Sequence, residues 1–363
     1  MTPPRVRHWW WPALSAVILW ATPWPSAWID QAFSRGFYRL LQPAVTTLSN
    51  LAPWTWLDLF IILAVVLVLR RLWLAWQERT GGWAGAVWRL TQRWLRATGL
   101  VATVFLVMWG LNYRRTPLLR ALGEAPPVAS LEELTALARD AAALAARTRP
   151  VAKAHLDDYD VLAERLSSPM NAALATVGRP RLVVTGRPKY SLLTPFFTRA
   201  GVTGMVDPFA LESIVHPDLL PFERGFTLAH EWGHLAGLAD EAEASAVGWA
   251  ACMRGDDVLA YSGAVYLLVE AGSALPPRVW REVLAGVDPG VRDDLRALSE
   301  RLRRIQPAVR AASFTVYDRY LKANRVDDGV RSYSRALQLI VLPEFRGALT
   351  GRATGRDDQV RQP

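Results

Sequence analysis

Two histidines and a glutamate near the middle of the chain have the spacing of a metal-dependent hydrolase. His230 and His234 are four residues apart, so on a helix both imidazoles lie on one face and can reach a single ion. Glu231 projects towards the same space, where it can take a proton from a water and later deliver it to a leaving amine. Two imidazoles and a carboxylate, with a fourth position open, suit zinc. This HExxH motif predicts a Zn²⁺ site with Glu231 as general base; the alternative is two core histidines beside an incidental glutamate.

The third ligand is expected among the acidic residues that follow the motif. Gly237 can end the helix in a left-handed turn, after which the chain can present Asp240, Glu241 or Glu243. Asp240 has the spacing of a minority pattern among the metzincins, but with Glu243 it also makes a capping box. Glu241 is then free to face the metal, so we predict Glu241 as third ligand, then Glu243, then Asp240. The small residues on the helix face of Glu241 are Ala244, Ser245 and Gly248.

The composition indicates a membrane protein. The 363 residues include 17 tryptophans, which cluster towards the N-terminal third, and tryptophan favours membrane–water interfaces. The net charge is +9, but no nucleic-acid motif accompanies it, so we predict no nucleic-acid partner and attribute part of the excess to membrane topology. The single cysteine, Cys252, excludes an intramolecular disulfide and a cysteine-based metal site.

Three apolar stretches in the first third are long enough to cross a bilayer, which takes about 20 residues with a range of about 17–25. They are residues 9–29, 50–69 and 97–113, with Asp58 at the outer end of the second. A cleaved signal peptide is the alternative for the first stretch, but the run is long and no clean cleavage site follows. The sequence therefore predicts a membrane anchor over 1–115 with three transmembrane helices.

Arginine is more frequent between the second and third stretches than between the first and second. The positive-inside rule then predicts a cytoplasmic N-terminus and a multi-pass topology that places the catalytic domain outside the cytoplasm. Arg114, Arg115 and Arg120 lie on the predicted outer side, against the rule.

The remainder, residues 116–345, is predicted to be one mostly helical domain with a small sheet. Ser130 and Glu133 form a capping box that opens a helix ending near Pro150. A second helix follows from about residue 157 to Gly178, and residues beyond Pro221 are helical almost to the end.

The sheet is expected just before the motif. Residues 181–185 are predicted as a strand, and 201–206 with 210–215 as a hairpin around the turn signal Asp207-Pro208. The tail over 346–363 is polar and predicted to be disordered. The predicted fold class is α+β.

These residues together resemble an uncharacterised bacterial membrane protein family, domain of unknown function 3810. Its members look like three-span anchors followed by a zincin-like zinc peptidase domain, which implies a bacterial cytoplasmic (inner) membrane. Family members usually carry asparagine after the Glu-Ala pair, Glu243-Ala244 here, where this chain has Ser245. In other membrane zinc peptidases the first glutamate of a similar Glu-x-x-Ala-Asp pattern binds zinc, and this resemblance again implies Glu241. The likeness rests on Trp109 to Arg115, Gly204, Pro208-Phe209, Glu212, His230 to His234, Gly237, Glu241, Glu243, Ala244, Tyr317, Tyr320 to Lys322, Asn324, Gly329-Val330 and Ser332-Tyr333.

Several of these residues are candidates for supporting roles. Tyr317, Tyr320 or Tyr333 could donate a hydrogen bond to the tetrahedral oxyanion, and the alternative for each is packing on the core. Glu212 could support the metal ligands. For His216, beside Pro217, a surface position is predicted.

The sequence therefore predicts a membrane-anchored zinc metallopeptidase that hydrolyses peptides or proteins near the membrane, with the lipid bilayer as its second partner. The alternative from another class is a non-catalytic scaffold or chaperone with a structural or vestigial metal site. A third possibility, hydrolysis of a non-peptide amide, uses the same residues.

Overall fold

The computed structural model describes residues 10–78, 82–123, 129–155, 159–326 and 335–353. Most of these residues lie in helices, and one three-stranded sheet accompanies them. A mostly helical fold with a small sheet is therefore confirmed.

The first third of the chain is dominated by a hairpin of two long helices. Its elements are α1 (Trp11–Ala21), α2 (Ser26–Trp28), a π-helical segment (Ile29–Phe37), α3 (Tyr38–Asn50), α4 (Trp56–Glu78), α5 (Trp83–Met108), a 3₁₀ segment (Gly110–Arg114) and α6 (Leu118–Leu122). At one end of the hairpin the rings of Trp76 and Trp83 meet edge to face, 6.4 Å apart. Helix α1 crosses α5 at Gly99, where a Cβ would lie 2.4 Å from the backbone nitrogen of Ala13. Only glycine permits so close a crossing.

The prediction of three transmembrane helices is wrong. Among the described helices only α4 is long and apolar enough to cross a membrane, and none of its most apolar stretch is buried. Helix α1 ends at Ala21, because Pro23 and Pro25 follow and the guanidinium of Arg114 donates to the last carbonyls of α1, including that of Trp20 at 2.6 Å. The predicted orientation depended on three spans, so this fold gives it no support.

The third predicted span, residues 97–113, does not form one continuous helix. Helix α5 begins at Trp83, well before the apolar stretch, and carries Arg89, Arg93 and Arg96 ahead of that stretch. The chain leaves α5 after Met108 and continues as the 3₁₀ segment. The second predicted span, residues 50–69, corresponds to α4 with both ends displaced towards the C-terminus.

The rest of the chain packs helices around the motif helix. Its helices are α7 (Leu131–Ala154), α8 (Tyr159–Thr176), α9 (Thr194–Ala200), α10 (Pro221–Leu235), α11 (Glu241–Arg254), α12 (Asp257–Ala274), α13 (Pro277–Ala285), α14 (Pro289–Leu302), α15 (Pro307–Ala323), α16 (Ala336–Ile340) and α17 (Pro343–Ala353). Helix α11 lies at the centre and packs against α8, α10 and α12, while α7 packs along α12. The predicted capping box of Ser130 and Glu133 starts α7, which is confirmed.

The strands are β1 (Pro188–Lys189), β2 (Gly204–Asp207) and β3 (Glu212–Val215). Strand β3 is central, parallel to β1 and antiparallel to β2, which leaves β2 at an edge. The predicted hairpin is thus confirmed. The predicted strand over 181–185 is wrong, because the backbone N–H of Leu182 donates to the side chain of Asn171 at 2.8 Å instead of to a neighbouring strand.

The predicted disordered tail is wrong in its first part. Helix α17 continues to Ala353, and Phe345, Ala348 and Leu349 are buried in the core. Apolar residues spaced three and four apart let this part of the tail pack as a helix. Residues 354–363 lie outside the described residues.

Candidate metal centre

Helix α10 carries the motif and ends where the sequence predicts that the chain reverses. It begins with Pro221, which suits the first helical position because that position needs no N–H. Glu223 accepts a hydrogen bond from the backbone N–H of Leu220 at 3.0 Å. Gly237 follows the helix at φ +83°, in the left-handed conformation that favours glycine. The chain then enters α11, whose N-cap is Asp240.

Three side chains converge where α10 packs against α11. The Nε2 atoms of His230 and His234 are 3.1 Å apart, and Oε2 of Glu241 lies 3.3 Å from each. One ligand atom from each residue lies within 4.8 Å of the other two, so the group could hold a metal ion. The helices approach closely, since a Cβ at Gly248 would lie 2.9 Å from the backbone nitrogen of His230. The predicted small-residue face of α11 thus packs against the motif helix.

The outer nitrogen of each imidazole is already engaged. Nδ1 of His234 lies 2.7 Å from the carbonyl oxygen of Leu238, and because a carbonyl only accepts, this nitrogen carries the proton. Nδ1 of His230 lies 3.1 Å from Oγ of Ser245. When His234 is neutral, as a metal ligand must be, the lone pair of Nε2 therefore faces the carboxylate of Glu241. Such a convergence of acceptor atoms fits a cation.

In this group the carboxylate of Glu241 also favours a proton on His234, which a bound metal ion would displace. Burial opposes ionisation of His234, but the carboxylate of Glu241 outweighs it and raises the pKa of His234 to about 9. Burial also lowers the pKa of His230. Burial disfavours the Glu241 anion, yet the neighbouring histidines hold its pKa well below the usual range. A negative carboxylate beside two imidazoles is the donor set expected for a divalent ion such as zinc.

Glu231 lies between this group and the edge strand β2. Its side chain is buried, and within the described residues Oε2 has no hydrogen-bond partner. Burial raises the pKa of Glu231 to about 8. A Cβ at Gly204 would lie 2.6 Å from Oε1, so the strand can pass this carboxylate only because position 204 is glycine. A buried carboxylate in a cleft with a perturbed pKa is a candidate for proton transfer.

Asp240, the last of the three alternative ligands, serves as the N-cap of α11. Its carboxylate accepts hydrogen bonds from the backbone N–H groups of Ala242 at 2.9 Å and Glu243 at 3.2 Å. Arg335 also donates to it, at 2.6 Å. The side-chain cap predicted for Asp240 is confirmed, and its carboxylate is directed to the backbone of its own helix.

Glu243 is directed away from the histidines as well. It accepts hydrogen bonds at 2.5 Å from the guanidinium of Arg115 and at 2.5 Å from the backbone N–H of Leu118. Its carboxylate therefore does not complete the predicted capping box with Asp240. Of the three acidic residues, the structure brings Glu241 alone to His230 and His234.

The segment after α5 holds the end of the motif helix in place. The indole N–H of Trp109 donates to the carbonyl of His234 at 3.3 Å, and Tyr38 donates to the next carbonyl at 2.9 Å. Arg115 donates to the carbonyl of Gly237 at 2.7 Å. Sequence reasoning treated this segment as the end of a membrane span and missed these contacts. The signal was present in Arg115, which contradicted the charge rule.

The predicted tyrosines lie at different distances from the group. The hydroxyl of Tyr317 donates directly to Oε1 of Glu241. Tyr320 stacks on Tyr317 at 5.8 Å, and its hydroxyl lies 3.4 Å from that of Tyr113. Burial raises the pKa of Tyr320 to about 12. Tyr333 lies outside the described residues.

Glu212 and His216 belong to other parts of the structure. Glu212 is buried on β3, where it accepts from Lys189 at 2.8 Å and from Ser49 at 3.1 Å. These contacts tie α3 to the sheet, so they give Glu212 a structural role in place of the predicted support of the metal ligands. The surface position predicted for His216 is wrong, because its ring is buried and lies 2.9 Å from the hydroxyl of Thr198.

The three convergent side chains open into a cleft of about 1860 Å³. Helix α10 lines it with His230, Glu231 and His234, and strand β2 lines it beside Glu231. Tyr317 and Tyr320 bring α15 to the same space. Beyond them, the cleft is lined by side chains of α4 and α5.

Comparison with known proteins gives a family and no activity. A sequence model described as a protein of unknown function, DUF3810, matches residues 33–341. No curated protein and no solved structure matches the chain. The match spans the α4–α5 hairpin as well as the histidine helix, so both are parts of one family unit. The chain therefore belongs to the family of proteins of unknown function DUF3810.

Proposed function

We propose that the protein is a membrane-associated, zinc-dependent peptidase. The observation that carries this proposal is the convergence of His230, His234 and Glu241 on one point, with the buried carboxylate of Glu231 beside them. Within the described residues, this group includes no fourth histidine, cysteine or acidic side chain. Because a structural zinc site is closed by four protein ligands, three ligands bordering a cleft favour catalysis over the scaffold alternative.

Different residues of the site have different roles in the proposed hydrolysis. Zinc held by the three ligands would polarise the scissile carbonyl and lower the pKa of a water. Glu231 takes a proton from the attacking water and returns it to the leaving amine nitrogen. The hydroxyl of Tyr317, which donates to Glu241 in this structure, would turn from that carboxylate to donate its hydrogen bond to the oxyanion.

The edge strand β2 supports an extended substrate. Residues Gly204 to Val206 line the cleft, and among the described strands β2 pairs with β3 alone. A peptide can pair with the free side of such a strand through main-chain hydrogen bonds, which would carry its amide past Glu231. A zincin-like arrangement of motif helix and edge strand is part of this proposal.

The membrane association rests on α4. Its apolar stretch is exposed. Burying that surface in lipid would be favourable, because apolar surface in contact with water raises the free energy of the protein. We extend the proposed membrane association to α5, which packs beside α4.

The test combines metal content with turnover on full-length protein purified in detergent. Wild type and Glu231→Gln should each hold about one zinc, as a single site predicts, while His230→Ala should lose it. Hydrolysis of quenched fluorescent peptides should fall by about 10²–10⁴ in Glu231→Gln. Absence of zinc from wild type, or its retention by His230→Ala, would instead favour the scaffold. Cell-wall muropeptides in the same substrate panel separate peptide from non-peptide amide hydrolysis.

A further inference from the structure

The cleft extends well beyond the three metal-binding side chains. Trp109 lies next to them, with its ring 6.3 Å from that of His234, and it lines the cleft together with Phe105 one helical turn earlier. From there the lining continues along α5 to Arg93. At about 1.5 Å per residue, the distance along α5 from Phe105 to Arg93 is about 18 Å. An extended peptide of about five residues covers that length.

The chemistry of the lining changes along this path. The end at the metal ligands is polar. The middle is formed by apolar side chains of the hairpin, among them Leu67, Val68 and Val101. The far end is lined by Arg71 and Arg93. A matching occupant therefore has an amide at the near end, apolar groups in the middle and a negative charge at the far end.

A polypeptide segment meets these three requirements together. A polar peptide would leave the apolar middle without contacts, and a lipid chain would bring no amide to Glu231. The middle of the cleft is not covered by other described parts of the protein, since Leu67 is 42 % exposed and Val101 is 55 % exposed. These side chains belong to the same helices that would contact lipid in the proposed function.

We propose that the cleft binds an apolar polypeptide segment with an acidic residue or a carboxyl end at Arg71 and Arg93. The substrates are then membrane-inserted or membrane-bound polypeptides, which reach the cleft sideways from the bilayer. The cleavage and the choice of a polypeptide over a lipid chain rest on the proposed function, whereas the apolar and acidic character of the occupant rests on the cleft alone.

The experiment measures binding without turnover. Full-length Glu231→Gln protein in phospholipid nanodiscs is mixed with a synthetic Leu/Ala peptide that ends in glutamate and carries a photoreactive benzoylphenylalanine. Val68→Trp, which fills the middle of the cleft, should lower the labelling roughly tenfold, equivalent to about 1.4 kcal/mol. Val65→Trp is the matched control, because Val65 lies on the same helix, is 51 % exposed and is not part of the lining.

A second pair of variants tests the charged end. Arg71→Gln should weaken labelling by the glutamate-ended peptide roughly two- to fivefold, as expected for an exposed ion pair. The same peptide ending in glutamine amide should show no such difference. Arg70→Gln, at the neighbouring residue outside the lining, is the matched control.

The outcomes separate this inference from the proposed function. Equal labelling of Val68→Trp and Val65→Trp would overturn the inference. It would also be overturned if a peptide with serine in place of leucine labelled the protein as strongly as the Leu/Ala peptide. Cleavage of both peptides at one rate by wild type would support the peptidase and overturn the apolar preference. Labelling that follows the expected pattern, without cleavage by wild type, would support the cleft and contradict the peptidase. The zinc content and elution profile of each variant report on folding.

Discussion

Helices α11 and α4 are both largely apolar, but they differ in what surrounds them. Every residue of α11 from Glu241 to Met253 is buried inside the protein, whereas none of the most apolar stretch of α4 is. A buried helix can carry acidic groups only if partners inside the protein satisfy them. Accordingly, the acidic residues of α11 meet histidines or Arg115. The charged residues of α4 lie in its first turn and beyond its middle, so the stretch between them is uncharged.

The comparison shows that the two helices differ in where their charged residues lie as well as in their apolar content. Asp58, in the first turn of α4, accepts from Ser191 at 2.6 Å and from the backbone N–H of Leu192 at 2.9 Å. That contact joins the first turn of α4 to the rest of the protein. The apolar stretch that follows is exposed to the surroundings of the protein. A mutation in α11 should therefore mainly change the free energy of unfolding, whereas a mutation in α4 should mainly change membrane association.

The largest effect is expected from Glu243→Gln in α11. It leaves the guanidinium of Arg115 buried without its counterion, and both side chains are almost fully buried. Breaking a buried pair in this way costs about 3–5 kcal/mol, measured as the free energy of unfolding of the detergent-solubilised protein. The control is Glu282→Gln, which removes the exposed pair with Arg278 and should cost less than about 1 kcal/mol. Equal losses in the two variants would show that burial of the Arg115 pair has no special importance.

The next effect should appear in the membrane and leave the folded protein intact. Val66→Lys places a charge in the exposed apolar stretch of α4, at a residue that is 53 % exposed. At the centre of a membrane helix this costs about 2.5–3.5 kcal/mol, so less protein should remain in the carbonate-washed membrane fraction. The thermal midpoint in detergent should not change. Gln77→Lys adds the same charge near the end of α4 and should have little effect on either measurement. Equal membrane retention of both variants would contradict a bilayer position for α4.

Sequence reasoning succeeded where the signals were local. The spacing of His230 and His234 predicts a helix with both side chains on one face, and Asp207-Pro208 predicts the hairpin of β2 and β3. Each depends on residues fewer than about ten positions apart, so the sequence contains the whole argument. The same reasoning found the N-cap role of Asp240, which left Glu241 for the histidines.

Contacts between distant residues explain what was missed. Arg115 pairs with Glu243 across 128 positions, and an arginine after an apolar run otherwise indicates only topology. The first predicted span was a count of apolar residues that ignored the effect of Pro23 and Pro25 on α1. Hydropathy distinguished α4 from α11, but it could not distinguish α4 from the other two predicted spans, because an apolar residue leaves water equally well for lipid or for a protein interior.

A smaller effect should come from Ser245→Ala, which removes the hydroxyl beside Nδ1 of His230. Losing a partner that orients a metal ligand typically lowers metal affinity 10- to 100-fold, and zinc competition with a chelator would measure this. Ser262→Ala is the matched control, because its buried hydroxyl accepts from the backbone N–H of Phe226 at 2.8 Å and contacts α10 away from the metal ligands. It should lower stability without changing zinc affinity. Similar zinc affinities of the two variants would mean that Ser245 does not orient His230.

The smallest effect concerns the pH dependence of stability. Burial lowers the pKa of His216, Arg301 and Arg304 lower it further, and Asp218 opposes them. The unfolded chain therefore binds a proton near pH 6.5 before the folded protein does, so stability is full above pH 6.5 and declines as the pH falls. His216→Gln can still accept from the backbone N–H of Asp218 but cannot be protonated. Between pH 7 and pH 5 its unfolding free energy should fall less than that of wild type. Parallel curves for the two proteins would mean that the buried ring of His216 does not contribute to the acid sensitivity of this domain.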